Sequence, residues 1–539
     1  MVTRIPKPPM EKIAPAARKA ATRARKRVRR AGAQAARAAQ SVPGEVQRAV
    51  SGTLGLQGER MSKVDTAWLR MDSDHNLMMI VGVWVLKPSV GYAAVCEKIE
   101  SRLLKFQRFT QRVVEDAVGA SWVDDEDFNI DRHVVRETLH RDARGHMVQA
   151  LKDRVGTLNM QKLDPTRPLW QMHLVENYVD EKGEVGSALI ARIHHCIADG
   201  IALMSVMMSL VDGGAAPPAR KAKLEDEGHE DWFSHSVLKP FTDLTVKAID
   251  FTGDQMAKSM ERSMQALADP QKFMQGGMLG SMDMAKTALH VLSDVAALAL
   301  MPDDSPTRLK GKPGTAKKVA WCEPLPLDEV KAVGKALGAS INDVLLSCVA
   351  GAIGQYLKDQ GDDVQGKEIR AMVPVNLRPM ESAYQLGNRF GLVPLTLPIG
   401  IDNPIERVYE VRRRMRQLKD SYQPLLAFGV LSLAGLLIKP AQAALLGLFS
   451  KKATAVMTNV PGPKEKLKFC GATLDQTMFW VPQSGDIGVG VSILSYGGGV
   501  QFGLVTDSTL CPQPQQIIDE FEPEFAKLAL VTLMLPWGE

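Results

Sequence analysis

The chain has 539 residues, of which 45% are hydrophobic and 24% are charged, and its formal net charge is +5. This composition is ordinary for a folded protein, and it excludes a mostly disordered chain, a coiled coil and a collagen-like repeat. The six cysteines show neither a CxxC pair nor a metal-ligand spacing, which excludes a disulfide scaffold and predicts a reducing, cytoplasmic compartment.

Residues 1–60 form an arm that differs from the rest of the chain in charge. It holds 14 Lys or Arg and three acidic residues, so the arm carries +11 and the other 479 residues carry −6. Apolar residues, mostly Ala, recur at helical spacing from Ile13 to Ala38. A solvated tail, docking on an anionic membrane and nucleic-acid binding remain open, but the absence of aromatic residues argues against nucleic acid. The arm lacks the apolar stretch of a secretory signal.

The sequence contains no run of 18 uncharged apolar residues, so we predict no transmembrane helix. The nearest approach is the pair of apolar runs Leu425–Ile438 and Ala441–Phe449, which Lys439 and Pro440 separate. These runs are too short to span a bilayer, and we expect them to lie in a core or on a membrane surface.

Compact sequence starts near Met61 and alternates strands with helices. The order predicts an α/β protein: an N-terminal arm at 1–60, a lobe at 61–212, a linker and helical crossover at 213–316 that includes the Met-rich segment 232–300, and a second lobe at 317–539. The predicted strands are Met79–Leu86, Ser187–Ile193, Ile369–Val375 and further strands from Gly488 to Thr506; the predicted helices are Ala93–Leu104, Ala198–Val211, Leu327–Leu337, Ile341–Tyr356 and Ile405–Lys419.

The stretch from His194 to Gly200, HHCIADG, lies where a predicted strand meets a predicted helix. A neutral imidazole at a strand end can accept a proton from an alcohol or an amine near pH 7. The residues alone leave four interpretations: a structural histidine pair, a metal site through His195 and Asp199, a nucleophile pair through Cys196, and a histidine general base. Asp199 falls in the first helical turn, where a carboxylate suits the helix dipole, and Gly200 permits close backbone approach.

The HHxxxDG pattern is similar to the signature of acyltransferases with the chloramphenicol acetyltransferase-like fold. Further stretches resemble, in order, those of the bacterial wax ester synthase/diacylglycerol acyltransferase family, and the likeness covers roughly residues 61–535. It implies two chloramphenicol acetyltransferase-like α/β lobes, joined by a long helical crossover, with an active-site cleft between them. The stretches are MSKVDTAWL at 61–69, PLW at 168–170, NDVLL at 342–346, VPVNLR at 373–378, GNRFG at 387–391 and TNVPGP at 458–463.

The resemblance also implies a mechanism in which His195 is the general base. It would take the proton of an acceptor hydroxyl, whose oxygen attacks the thioester carbonyl of acyl-CoA, and would later protonate the departing thiolate. Asn342 is expected to stabilise the oxyanion or to shape the cleft. Asp343 is expected to support that motif, and a helix cap is the alternative for the Asn-Asp pair.

The other motif residues are expected to support the loop. His194 is expected to support the loop because of its place in the motif. Asp199 is expected to hold the histidine loop through an ion pair with Arg378, and Gly200 is expected to supply the backbone conformation of the motif. No metal and no bound cofactor are expected, because no third ligand lies near His195 and no phosphate-binding glycine loop is present.

The resemblance implies long-chain acyl-CoA as co-substrate, with diacylglycerol or a long-chain alcohol as acceptor. Apolar runs and methionines from Met204 to Met208 and Met256 to Met284 fit an apolar tunnel, but plain core packing is the alternative. The rival functions are a condensation-type transferase using carrier-protein thioesters and amines, and a non-catalytic lipid-body or membrane-binding protein. The expected location is cytoplasmic, peripherally on the inner membrane or on lipid bodies.

Overall fold

The computed structural model describes residues 58–116, 119–215, 301–377, 386–419 and 450–534, together with Ala427 and Gln442. The chain divides into two compact units, and apart from Gln442 every described residue belongs to the larger one, which comprises Leu56–Ala222, Thr287–Ile438 and Leu445–Glu539. Most of the basic arm, all of the Met-rich segment 232–300 and nearly all of the two apolar runs at 425–449 lie outside the described residues.

The described chain is a mixed α/β structure with nine α-helices, sixteen strands and three short 3-10 helices. The helices are α1 Lys63–Arg70, α2 Tyr92–Arg102, α3 Val148–Asn159, α4 Gly200–Leu210, α5 Leu327–Ala336, α6 Ile341–Asp359, α7 Pro404–Lys419, α8 Pro514–Asp519 and α9 Phe521–Leu533. The strands are β1 Glu59–Arg60, β2 Met79–Lys87, β3 Gln111–Asp116, β4 Gly119–Asp124, β5 Val134–Arg136, β6 Trp170–Val179, β7 Val185–His194, β8 Lys317–Trp321, β9 Leu325–Pro326, β10 Ile369–Asn376, β11 Phe390–Leu397, β12 Ala455–Pro461, β13 Lys468–Phe469, β14 Ala472–Trp480, β15 Val489–Tyr496 and β16 Gly499–Asp507.

The first large sheet is built around strands β2 and β7 and has the strand order β13-β14-β2-β7-β6-β5. Alternate residues of β2 enter different hydrophobic clusters: Ile80 and Leu86 lie in one, and Val81, Val83 and Val85 in the other. Successive side chains of a strand point to opposite faces, so both faces of this sheet are covered. Helices α2 and α4 contribute to the first cluster, and helix α3 to the second.

The second large sheet has the order β11-β10-β12-β15-β16-β8, with β9 paired to β16, and β12 runs parallel to both β10 and β15. Its core is formed largely by helix α6, of whose residues most are buried. Ser340 caps this helix: its hydroxyl accepts from the Asp343 N–H, and the Asp343 carboxylate accepts from the Ser340 N–H. This reciprocal pair satisfies two amides at the helix start.

Strand β14 shows how the two parts of the chain are interleaved. It follows β12 in sequence, yet it pairs with β2 in the first sheet, from Thr473 opposite Lys87 to Trp480 opposite Val81. A stretch near the C-terminal end of the chain therefore completes the sheet that carries the HHxxxDG motif. A third, small sheet has the order β1-β4-β3.

The predicted elements agree with the structure where hydrophobic periodicity is strong. Strand β2, helices α5 and α7 and strand β10 match to within two residues at each end, whereas helix α6 continues to Asp359, three residues beyond its predicted end. Helix α4 begins at Gly200 rather than Ala198, because Asp199 is its N-cap. The pattern did not predict helix α3 or strand β6. Strand β6 has buried His173 among its apolar residues, which breaks a simple alternation.

Among the described residues, no single helix has both the length and the apolar character needed to cross a bilayer. Helices α5 and α6 meet that test only as a pair, and they are bent by 99° relative to each other. The residues of α6 are mostly buried in the protein core, which accounts for their apolar character.

Candidate active site

A cavity of about 300 Å³ lies against one face of the first sheet, between that face and residues of α4, β10, β11 and β12. Its walls are mostly apolar, as is usual for a site that binds a small organic ligand. Polar side chains are few: His195, Asp199, Asn376, Thr458, Asn459, Thr477 and Ser484.

His195 lies in the loop that joins strand β7 to helix α4, and its ring lines the cavity. Its backbone is fixed on both sides, since its N–H donates to the Met78 carbonyl (2.7 Å) and its carbonyl accepts from Asn388 Nδ2 (2.7 Å). The ring stacks on Trp68, with centroids 4.2 Å apart and planes 14° apart, and Phe390 lies 5.6 Å away. These contacts leave the imidazole little freedom to rotate.

The environment of His195 favours the neutral ring. Burial lowers the pKa of His195 to about 4, although the Asp199 carboxylate acts in the opposite direction. Nδ1 is buried and has no hydrogen-bond partner of normal geometry. At neutral pH the ring is therefore uncharged and able to accept a proton, as a general base must.

Asp199 holds the loop in place from two directions. Its Oδ1 accepts from the Ala202 N–H (2.9 Å), which caps α4, and its Oδ2 accepts from the Arg389 N–H (2.9 Å). Its own N–H donates to the Gly387 carbonyl (3.2 Å). These are contacts of a supporting residue. The predicted ion pair with Arg378 falls outside the described residues.

His194 ends strand β7 and Cys196 lies in the loop that follows it, and neither residue lines the cavity. The Cys196 N–H donates to His194 Nδ1 (3.2 Å), and His194 Nε2 lies 3.4 Å from Asp72 Oδ1. Burial raises the pKa of the Cys196 thiol, so this sulfur is a poor nucleophile at neutral pH. The side chains of His194 and Cys196 interact with each other, but neither residue lines the cavity, so the site supports neither a Cys–His nucleophile pair nor a direct chemical role for His194.

The structure separates Asn342 and Asp343 from the cavity wall. Asn342 is exposed and is not among the lining residues, and its Oδ1 accepts from Asn459 Nδ2 (2.8 Å). Asn459 does line the cavity, so Asn342 reaches the site only through this second amide. Asp343 is buried in the capping box of α6. The cap alternative for this motif thus has a direct structural basis, and an oxyanion role of Asn342 stays a prediction.

Sequence reasoning missed the residues that bind the loop from behind. The GNRFG stretch at 387–391 resembled a family block, but its sequence did not indicate what it contacts. In the structure Gly387 donates its N–H to the Ile197 carbonyl (3.0 Å) and forms an isolated bridge with Ala198. Asn388 also binds Asp65, which lies within the MSKVDTAWL stretch, more than 300 residues earlier. Only the order of these stretches along the chain indicated that they belong together.

Replacement of Asp199 by alanine is expected to lower the free energy of unfolding by about 2 kcal/mol, because it removes a helix cap and takes the acceptor from the part-buried hydrogen bond of the Arg389 N–H. Urea denaturation measures this loss. Asn403→Ala is the matched control, since Asn403 caps α7 at an exposed position and its loss gives the cost of a cap alone. An equal loss in the two variants would mean that the Arg389 contact contributes nothing.

Within the described residues, no group of three His, Cys, Asp or Glu side chains is arranged to hold a metal ion. The metal interpretation of His195 and Asp199 therefore gains no third ligand from this part of the chain. Asp199 already uses both carboxylate oxygens to accept backbone N–H groups.

Known proteins resemble the chain in both sequence and fold. A probable diacylglycerol O-acyltransferase of Mycobacterium tuberculosis is 26% identical over 485 residues, which cover 88% of this chain and 96% of that protein. The wax ester synthase/diacylglycerol acyltransferase from Marinobacter aquaeolei superposes with a TM-score of 0.59 at 20% identity, covering 88% of this chain and 99% of that one. The first condensation domain of the calcium-dependent antibiotic synthetase superposes with a TM-score of 0.52 at 14% identity, covering 88% of this chain and 96% of that one.

Two family models match the chain, and together they include strands of both large sheets. The model of the wax ester synthase/diacylglycerol acyltransferase catalytic domain matches residues 61–345, which is more than half of the chain. The model of the C-terminal domain of that family matches residues 386–529. The chain therefore belongs to the wax ester synthase/diacylglycerol acyltransferase family, and it is an acyltransferase.

Proposed function

We propose that this acyltransferase transfers a long-chain acyl group from acyl-CoA to the hydroxyl group of diacylglycerol, of a long-chain alcohol, or of both. The observation that carries the proposal is a neutral, buried His195 beside a cavity with mostly apolar walls. Apolar walls favour alkyl chains over polar acceptors. The names of the mycobacterial and marine relatives, which specify diacylglycerol and wax esters, support the same choice of acceptors.

The proposed reaction proceeds by direct transfer between the two substrates. His195 accepts the proton of the acceptor hydroxyl on Nε2, because Nδ1 is buried away from the cavity. The acceptor oxygen bonds to the thioester carbonyl carbon and forms a tetrahedral oxyanion. When the oxyanion collapses, the carbon–sulfur bond breaks, and the CoA thiolate takes the proton from the imidazolium. The stacked Trp68 ring favours this transient cation through its π face.

Oxyanion stabilisation requires a donor on the cavity wall. Asn342 enters the proposal as the residue that orients Asn459, since its Oδ1 occupies one N–H of the Asn459 amide. The lining position of Asn459 gives that amide direct access to the cavity.

Thiol release from palmitoyl-CoA by the purified protein tests the proposal, with hexadecanol or dipalmitoylglycerol as acceptor. Acceptor-dependent release of CoA, with wax ester or triacylglycerol as product, is the expected result. No release with either acceptor would contradict the proposal and favour a condensation-type reaction with amines or carrier-protein thioesters. Palmitoyl-CoA without acceptor is the control for simple hydrolysis.

We further propose that the enzyme is cytoplasmic and binds peripherally to the inner membrane or to lipid bodies through residues 1–60. The support is the net charge of +11 on this arm, because each basic residue near an anionic surface contributes about 1 kcal/mol of attraction. Deletion of residues 1–60 is expected to weaken binding to vesicles with anionic lipid. Added salt should weaken vesicle binding by the full chain in the same way. Equal binding of both proteins at low salt would contradict the proposal.

The low pKa of His195 leads to a prediction for the pH profile of acyl transfer. A general base with a pKa of about 4 is already neutral at pH 5.5, whereas an ordinary histidine with a pKa of 6.5 is mostly protonated there. We therefore expect kcat/KM to stay nearly constant from pH 5.5 to pH 8 and to fall only as the pH approaches 4. Unfolding measured at each pH distinguishes protonation of the base from denaturation of the protein. An acid limb centred near pH 6.5 would contradict the prediction.

A further inference from the structure

We propose that Asn388 and Asp65 are positioning residues that keep the proton of the neutral His195 ring on Nδ1, so that Nε2 faces the substrate as a free acceptor. This inference rests on the proposed role of His195 as general base. It assigns to the GNRFG and MSKVDTAWL stretches a task that neither the motif pattern nor the family likeness specified.

Asn388 is fixed by three hydrogen bonds in a buried position. Its backbone N–H donates to Asp65 Oδ1 (3.0 Å), and its Nδ2 donates to the same oxygen (2.7 Å) and to the carbonyl of His195 (2.7 Å). Asn388 is 4% exposed and Asp65 is 5% exposed. Asp65 comes from helix α1, whereas Asn388 lies two residues before the start of strand β11.

These bonds determine which way the Asn388 amide points. A rotation of the amide by 180° would place Oδ1 against the Asp65 carboxylate and the His195 carbonyl, and three acceptors would then face one another. The amide group is therefore held with Nδ2 toward these two oxygens. Burial raises the pKa of Asp65 to about 6, while the two Asn388 donors act against this rise, so the carboxylate is charged at pH 7 to 8.

The fixed amide leaves one acceptor without a partner beside the catalytic ring. Asn388 Oδ1 is buried and accepts no hydrogen bond, and His195 Nδ1 is buried and forms none of normal geometry. Two acceptors are near enough to the ring to favour its protonation, the backbone carbonyl of His195 itself and, with a smaller effect, the Asn388 side chain. A proton on Nδ1 therefore faces Asn388 Oδ1 and the His195 carbonyl, and Asn388 positions both acceptors, because its Nδ2 also binds that carbonyl (2.7 Å).

The consequence for catalysis concerns the tautomer. A neutral imidazole carries its proton on one nitrogen, and a base whose Nε2 carries that proton cannot accept another from the substrate. The two acceptors that Asn388 holds beside Nδ1 select the productive tautomer, and Asp65 prevents the amide from turning away. His195 then enters each reaction cycle with Nε2 free.

Nitrogen-15 NMR of the full-length protein with labelled histidine tests the proposal directly. The signal of His195, identified by its absence from His195→Gln, is expected to show a protonated Nδ1 and an unprotonated Nε2 at pH 7. The opposite tautomer in the wild-type protein would overturn the proposal without any variant. This result does not depend on acyl transfer, so it is distinguishable from failure of the proposed function.

Kinetics of Asn388→Ala provide the second test. We expect kcat to fall about 100-fold with little change in KM, and the His195 signal to show mixed tautomers. Asp65→Asn, which keeps the shape and one acceptor oxygen, should give a smaller loss of kcat. Asn159→Ala is the matched control, since Asn159 is also buried and its side chain donates to the Val155 carbonyl within helix α3. Wild-type kcat in Asn388→Ala would overturn the proposal.

Discussion

Replacement of His195 by glutamine is expected to lower kcat for acyl transfer by about 10²–10⁴-fold, the range that a positioned general base contributes. Glutamine approximates the size of the ring and can keep contact with Trp68 and Phe390, but it cannot accept a proton at neutral pH. The backbone bonds of position 195 to Met78 and Asn388 do not involve the side chain that is changed. The loss should therefore appear in kcat rather than in folding, and single-turnover thiol release measures it.

His133→Gln is the matched control for this loss. His133 is buried and stacks between two aromatic rings, Phe128 and Trp170, but it does not line the cavity. Its replacement is expected to lower stability and to leave kcat within about twofold of the wild type, because no cavity contact changes. A His195→Gln enzyme that keeps more than a tenth of wild-type kcat would show that another group removes the proton.

The catalytic loop was predictable because its signals are local. Apolar residues before His194, the Asp-Gly pair at 199–200 and the apolar helix after it specify a strand, a cap and a helix between Val185 and Leu210. The support behind the loop was not predictable in the same way. Asp65 and Asn388 are 323 positions apart, and nothing in either stretch indicates that one carboxylate oxygen accepts two N–H groups from the other.

Asn342 illustrates the opposite difficulty. A motif with Asn beside Asp at a helix start fits both an active-site role and a cap, and sequence alone does not separate them. The structure places Asp343 in the cap of α6 and directs Asn342 toward Asn459, so the pair divides between the two roles. The two roles can be told apart only from the part of the second sheet that lies next to the start of α6, and this depends on the tertiary structure.

The alternation of helices and strands was sufficient to predict the α/β class, but not the membership of each strand in a sheet. Strand β14 has the sequence ATLDQTMFW, which indicates a strand by its apolar and β-branched residues. Its polar Asp475 and Gln476 do not indicate that it will leave the second half of the chain and pair with β2. The free energy that decides this is gained by burying Leu474, Met478 and Trp480 against distant residues.

The face of the first sheet that lines the cavity forms the cavity floor. The shape of this floor leads to a prediction about the length of the alkyl chain that the enzyme prefers. One cross-strand row of the first sheet consists of Phe479, Gly82, Ala191 and Met172, which are paired in that order on four neighbouring strands. All four residues line the cavity. The two smallest side chains lie side by side in the middle of the row, so they form a depression in the floor about four residues, or roughly 13 Å, along the strand from His195.

A phenylalanine at position 82 should fill this depression. A Cβ atom added to Gly82 meets only the Met478 carbonyl at 3.6 Å and Phe479 Cβ at 3.9 Å, which are ordinary contacts, and Gly82 is not among the glycines with positive φ. The backbone therefore tolerates a side chain, and the aromatic ring has to enter the cavity. Because a bulky group in a filled cavity costs about 1–3 kcal/mol, we expect the ratio of activity on long chains to activity on short chains to fall about tenfold.

The measurement is kcat/KM of Gly82→Phe and wild type in two series. The first varies the acyl-CoA from 8 to about 18 carbons with one alcohol, and the second varies the alcohol with one acyl-CoA, so the series that responds identifies which alkyl chain lies over Gly82. Gly91→Phe is the control, because Gly91 is not among the residues that line the cavity and an added Cβ there meets nothing within 4 Å. A uniform loss at every chain length in both series would mean that the row does not bound either substrate. A loss confined to long acyl chains would instead place the acyl group, and not the acceptor, over Gly82, in the part of the cavity that this row lines.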